Sequence, residues 1–329
     1  MKFGIEFVPQ KPLEEILAEA KKAEESGFEY CWVTDHYNNR NVYEFLTVIA
    51  QETKEMMLGP GVTNPYLIHP AVAASAGATL DEVSGGRVIM GVSAGDKTVL
   101  SSLGVEITRL LPTMTESIEI IRRLTRGERL DYDGKIFKLK GVSLNFKAKH
   151  DIPVYMGAQG PMMLELAGKI SDGVLINASH PEDIAYSIKQ VEKGVKKSGR
   201  KMKDFDVAAY TSFSIADKKE EAEEEAKIIT AFIAAAAPSI MLERHEIPSS
   251  EAEAISKLIK RGDFGAAIKG VTQKMLDAFG IYGTPDECLD KVKALKKTGV
   301  TQLVVGSPIG PKPLVAIDTI REKIVPNVG

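Results

Sequence analysis

A chain of 329 residues, 44% hydrophobic and 26% charged, is that of a globular protein, long enough for one large barrel with insertions or for two ordinary domains. Its net charge of -3 offers no basic footprint for nucleic acid or an anionic membrane, so neither is expected as a partner. The only cysteines, Cys31 and Cys288, lie far apart and outside any paired or metal-ligand spacing, which argues against a disulfide or zinc framework and for a reducing cytosol.

In chain order, a first strand is predicted over residues 2–8 and a helix over 12–26, with Pro12 in its first turn and Gly27 closing it. The chain opens directly into that strand, so no signal peptide is expected. A second strand, 28–34, runs through Asp35-His36-Tyr37 into a helix over 42–52. A third strand, 57–62, leads into Thr63-Asn64-Pro65 and a helix over 70–83. Ser84-Gly85-Gly86 breaks that helix before strand four, 87–93, and helix four spans 112–126.

Residues 127–149 interrupt this rhythm. Asp133-Gly134, between Leu130-Asp131-Tyr132 and Ile136-Phe137, is a hairpin signal, so a β-hairpin excursion is predicted before strand five at 153–157. Helix five opens after Gly160-Pro161, strand six is 173–177, helix six 181–198 and strand seven 205–215. Between 217 and 279 only helical segments are predicted, and residues 218–227 read as a solvated helix face. The alanine-rich run 231–237 falls well short of the roughly 20 apolar residues that span a membrane. A helix over 285–298, strand eight over 301–306 and a closing helix over 312–323 complete the pattern. Eight strand-then-helix units predict a (β/α)8 TIM barrel, with a helical insertion between strands seven and eight, as a single domain over residues 1–329.

The apolar runs turn polar where they end, at Glu6, Asp35-His36, Thr63-Asn64, Asp96, Gln159 and Asn177, and barrel enzymes carry their chemistry at those ends. Glu6 is either a buried acid paired with a cation or a general acid whose pKa burial raises. Asp35-His36 is either a hydrogen-bonded corner or a ligand-contacting pair; no second His or Cys stands nearby at metal spacing, so no metal is expected. Gly59-Pro60-Gly61-Val62-Thr63-Asn64-Pro65 is either an ordinary loop or a bulge that presses backbone against a planar ligand. Gly157-Ala158-Gln159-Gly160-Pro161 is either a tight turn or a phosphate site at a helix N-terminus, with Asn177 beside it. Asp96 either pairs with Lys97, caps a helix, or faces a cofactor or substrate ring. No dinucleotide fingerprint, P-loop or Ser-His-Asp arrangement is present.

Taken in order, the segments resemble the bacterial-luciferase-like superfamily over the whole chain. They are the opening Lys2-Phe3-Gly4-Ile5-Glu6-Phe7-Val8-Pro9, then Trp32-Val33-Thr34-Asp35-His36-Tyr37-Asn38-Asn39-Arg40, the segment Gly59–Tyr66, Gly91-Val92-Ser93-Ala94-Gly95-Asp96, and Gly157–Pro161. Within that superfamily they are most similar to the archaeal coenzyme F420-dependent methylenetetrahydromethanopterin reductases. The resemblance implies a deazaflavin cofactor, F420, its ring backed by a non-prolyl cis peptide at Gly61–Val62 near Asn64 and lying beside Asp35 and His36. It places the phosphate-bearing tail on Gly157, Ala158, Gln159 and Gly160, with Asn177 alongside. Many F420 relatives carry Glu where this chain has Asp96. The resemblance also implies methylenetetrahydromethanopterin as substrate in the one-carbon steps of methanogenesis, an archaeal source, and a homo-oligomer, dimer or tetramer. In the reaction so implied, Glu6 supplies a proton while Asp35 and Asp96 orient the rings or stabilise charge. The alternatives are another F420- or FMN-dependent oxidoreductase of this superfamily, a non-catalytic flavin-binding barrel, or a phosphate-binding barrel without a redox cofactor. Retention of eight strand units with Glu6, Asp35 and Asp96 argues against the non-catalytic barrel.

Overall fold

A computed structural model describes residues 1–328. Its strands are β1 (Lys2–Phe7), β2 (Tyr30–Val33), β3 (Met57–Pro60), β4 (Met90–Val92), β5 (Leu130–Asp133), β6 (Lys138–Val142), β7 (Val154–Gly157), β8 (Gly173–Asn177), β9 (Asp206–Ile215), β10 (Gly280–Gly283) and β11 (Gln302–Ile309). The chain divides into two compact units.

The larger unit comprises residues 4–175 and 189–207. In it β1, β2 and β3 pair in parallel, isolated bridges at Leu58–Val88 and Thr63–Val92 join β3 to the β4 region, and β4 pairs with β7 and β7 with β8, again in parallel. Strand β2 is buried along its whole length, which is why Tyr30-Cys31-Trp32-Val33 reads as an unbroken apolar run. The connecting helices use local caps. Asn41 Oδ1 accepts the Tyr43 and Glu44 amides at 3.0 and 3.3 Å to start Val42–Glu52. Helix Pro70–Ser84 begins with proline after the His69 cap and ends at Gly85 in the left-handed region. Helix one begins at Leu13, so Pro12 is its N-cap and not a first-turn residue.

Residue size across neighbouring strands sets the interior of this unit. Register aligns Glu6 with Trp32 and Trp32 with Gly59, and aligns Gly91 with Tyr155 and Tyr155 with Gly173. The Trp32 indole lies against both Gly59 and Gly91 and meets the Tyr155 ring at 5.8 Å. One large ring therefore faces two glycines. A Cβ at Gly91 would sit 2.1 Å from the Pro60 carbonyl oxygen, and one at Gly59 equally close to that of Ile89. Both neighbours are backbone and cannot swing aside. Gly91→Ala should therefore lower stability by about 3 kcal/mol or prevent folding, read as the shift in urea midpoint. An unchanged midpoint would show that β3 and β4 can separate without penalty.

At the N-terminal ends of the same strands, the Arg87 guanidinium donates to the carbonyls of Ala50, Thr53, Met56 and Ser84 and to the Thr53 hydroxyl. The Glu24 carboxylate accepts the amides of Lys54, Glu55 and Met56 at 2.7–2.9 Å. The hairpin is present as β5 and β6, antiparallel, with its second strand at Lys138–Val142 and not at Ile136-Phe137. Those residues form the turn instead, because the Glu116 carboxylate accepts the amides of Lys135, Ile136 and Phe137. A six-residue helix, Lys97–Ser102, follows β4 and was not predicted.

The smaller unit comprises residues 1–3, 176–188 and 208–329. Here β9 pairs in parallel with both β11 and β10. Between 217 and 279 the elements are five helices with no strand among them, and strand β10 follows at Gly280–Gly283, so a strand does stand between β9 and β11. Strand β11 extends beyond 306 to Ile309 through a register shift at Gly306/Pro308 and a cis Ser307–Pro308 bond. The closing helix gives way to a π-helical turn over Ile320–Ile324. The Asp183 carboxylate, 1% exposed in the first turn of helix Pro181–Lys197, pairs with Arg244 and lies 2.7 Å from His245 Nε2, both from the insertion. The His245 ring packs edge-on against His180 at 4.7 Å, and Arg244 stacks over Tyr186. Among the described residues no helix is long and apolar enough to cross a membrane.

Candidate active site

In the larger unit the strands are tied together just beyond their C-terminal ends. The Thr34 amide donates to Phe7 O, Gly61 to Val33 O, Thr63 to Gly91 O, and Ser93 to Thr63 O, all at 2.8–3.1 Å. The Ser93 hydroxyl then reaches Gly157 O at 3.0 Å, and the Ala158 amide reaches Leu175 O at 3.1 Å. This continuous rim runs from β1 through β8, and the residues singled out from the sequence in this unit stand on it or beside it.

Glu6 lies on β1 in the row that holds Trp32 and Gly59, on the same face as the indole, and is half-buried. Its neighbours Ile5 and Phe7, pointing the other way, are fully buried. Asp35 and His36 follow β2 directly and are half-buried. Burial pushes the Asp35 pKa above the ordinary carboxylate value, against the opposing influence of the Thr63 hydroxyl and of the neighbouring His36 ring. Thr63 is buried and also faces the phenol of Tyr43, whose pKa burial pushes up in turn.

The peptide Gly61–Val62 is cis. Asn64 is 4% exposed, and its Oδ1 accepts the Leu67 amide at 3.0 Å, fixing the loop after the bulge. The turn Ser93-Ala94-Gly95 folds onto Asn64, with Gly95 in the left-handed region. Asp96 is exposed, and its Oδ1 accepts the Val99 amide at 3.1 Å, so it begins helix Lys97–Ser102. The capping possibility read from the sequence is therefore realised in the side chain's geometry.

Gly157 ends β7, and Gly160 is the N-cap of helix Pro161–Ile170, with proline at the first helical position. No side chain caps this helix. Gln159 and Gly160 are half-buried and Ala158 buried. The first-turn amides are thus left for a ligand or for water. Asn177 ends β8 in the smaller unit and is exposed. Among the described residues no group of three or more His, Cys, Asp or Glu side chains is placed to hold a metal ion.

Two residues of this rim, Ser93 and Thr63, and Tyr43 packed against it were not singled out as site residues. The polar ends of strands three and four signalled Thr63 and Ser93. Nothing in the spacing signalled Tyr43, because its partner comes from another strand end.

Residues 1–302 match the family described as luciferase-like monooxygenase. A 5,10-methylenetetrahydromethanopterin reductase from Archaeoglobus fulgidus is 47% identical over 100% of both chains. Another from Methanolobus tindarius is 49% identical over 99% of this chain and 100% of its own. The solved structure of the coenzyme F420 dependent tetrahydromethanopterin reductase from Methanopyrus kandleri covers 100% of this chain and 99% of its own, with 42% identity and a TM-score of 0.93. The fold is accordingly the expected (β/α)8 TIM barrel. Relatedness of this extent, spanning both compact units and every rim segment, makes the chain a member of the luciferase-like family and, within it, of the methylenetetrahydromethanopterin reductases.

Proposed function

We propose that the protein reduces 5,10-methylenetetrahydromethanopterin to the 5-methyl compound with coenzyme F420 as hydride donor, an oxidoreductase of one-carbon metabolism and methanogenesis. The observation that carries this reading is identity of 47% over the full length of both chains to a reductase of that name. The site residues suit the cofactor. A helix N-terminus without a side-chain cap, opened by Gly157, Ala158, Gln159 and Gly160, offers backbone amides to a phosphate. Gly61 and Val62 offer flat backbone to a ring, with Asn64 holding the bulge and Asp35 and His36 at its edge.

When bound, reduced F420 supplies the hydride. Glu6, on the interior face of β1, delivers a proton to the pterin nitrogen that the methylene carbon leaves. Asp35 and Asp96 orient the two ring systems and offset positive charge on the substrate as that bond opens. Asp96 can do so from a fixed place, because its other task is the helix cap. The rim holds these groups in register, so the chain contributes mainly position.

With this reading go a single domain over residues 1–329, a cytoplasmic location in an archaeal cell, and a homo-oligomer, dimer or tetramer. It also implies no metal and no nucleic-acid or membrane partner. The test is anaerobic stopped-flow absorbance of the protein with reduced F420 and added methylenetetrahydromethanopterin. Rapid return of the oxidised deazaflavin band is expected. Binding of F420 without oxidation would move the substrate to an alcohol or sugar phosphate. Absence of F420 binding would favour an FMN enzyme of the same fold.

A further inference from the structure

We propose that Tyr43, acting through Thr63, is a positioning residue that holds the Asp35 carboxyl in the site. Asp35 Oδ2, Thr63 Oγ1 and the Tyr43 hydroxyl are all shut off from solvent, and none makes a hydrogen bond of normal geometry. Thr63 faces both of the others, and the charge of Asp35 is felt at the Tyr43 phenol. Roughly nine in ten buried polar groups in proteins are paired. Three that converge at a strand end beside a site therefore need a reason.

Counting protons supplies one. A carboxylate only accepts, whereas each hydroxyl has one proton to give and lone pairs to receive. In the direction Tyr43 to Thr63 to Asp35, both hydroxyl protons find acceptors, the last of them strongest when Asp35 is ionised. With the proton on Oδ1, Oδ2 accepts only as a neutral and weaker group; with the proton on Oδ2 the file must reverse. Asp35 then donates to Thr63, Thr63 donates to Tyr43, and the phenol proton is left without an acceptor. The file thus favours the carboxylate, whereas burial favours the acid. The titratable groups facing Asp35 are His36 on its own loop and Tyr43 on the following helix; Thr63 comes from the loop after β3. Tyr43 touches neither ring in this assignment; its effect reaches the chemistry only by fixing where the Asp35 charge sits and when it is present.

The inference rests on the role given to Asp35 above, and the experiment separates the two. Asp35→Asn, Tyr43→Phe, Thr63→Val and Thr63→Ser are compared by two pH profiles, that of kcat/KM and that of the F420 dissociation constant from fluorescence titration. Tyr43→Phe and Thr63→Val should each move the acid limb of both profiles upward by about 1 pH unit, giving about 10-fold loss on the acid side and little at alkaline pH. Thr63→Ser should restore the wild-type limb, and Tyr43→Phe should add nothing in an Asp35→Asn background. Unmoved limbs in Tyr43→Phe and Thr63→Val, with Asp35→Asn impaired, would overturn the positioning role alone. An Asp35→Asn protein indistinguishable from wild type would remove Asp35 from the site and the inference with it. Should Thr63→Val fail to fold, Tyr43→Phe, which loses a single oxygen, still decides the matter.

Discussion

Glu6→Gln is expected to lower turnover about 100-fold or more while changing the F420 dissociation constant by no more than about twofold. The amide keeps the shape of the side chain and its place beside Trp32 and Gly59, so the interior row should not rearrange. What it loses is a proton that can be given to a leaving nitrogen. Breaking the methylene bridge without that proton leaves a strongly basic nitrogen anion, and the deficit falls on the chemical step. Single-turnover stopped flow separates this from binding. The deazaflavin band should return slowly in the variant although the cofactor saturates at ordinary concentration. Undiminished turnover would make Glu6 a structural acid, the other possibility that its sequence position allows.

A loss of stability of about 3–5 kcal/mol is expected for Asp183→Asn, the range found when one partner of a buried ion pair is removed. The carboxylate is 1% exposed, and its two partners, Arg244 and His245, are 18% and 9% exposed. Neither partner can turn to water to replace what it loses. Arg244 keeps only its stacking on Tyr186, and His245 its packing against His180 and Phe279. Both partners come from the insertion, so local melting of Ser239–Arg244 should precede global unfolding. Chemical denaturation followed by circular dichroism reads the effect. A surface pair such as Lys138–Asp133 is a useful contrast, because water screens it and its loss should be barely measurable. A shift no larger than that contrast would mean that the Asp183 cluster is open to solvent in solution.

Legibility in the sequence followed burial. Tyr30-Cys31-Trp32-Val33 and Gly173–Asn177 were plain because every residue but Asn177 is buried and each strand holds an unbroken run of large apolar side chains. Helix Val42–Glu52 showed its 3.6-residue spacing and was placed at its observed ends. Strand β10 was hidden because Gly-Ile-Tyr-Gly has only two side chains larger than hydrogen and follows helix Gln273–Phe279 with no turn between them. The short helix Lys97–Ser102 was hidden by its length, although Asp96 announced its cap. In the candidate site, Glu6 and Asp35 were visible as charges closing apolar runs, and the cis bond at Gly61–Val62 came from resemblance and not from spacing. The meeting of Tyr43 with Thr63 is tertiary. Twenty positions of chain and a whole strand separate them, and no local pattern encodes it.

Arg87 and Glu24 give these strands two ends of different character. The segments leading into β3 and β4 are cross-linked by a guanidinium and a carboxylate that, apart from the Thr53 hydroxyl, bind backbone, so they depend little on the identity of neighbouring side chains. The far ends carry the variable polar residues. Mutational drift at those far ends can therefore retune which molecule is processed while the anchoring at the starts stays untouched. A lineage built on this scaffold can change its substrate repeatedly without first having to re-invent a folded protein.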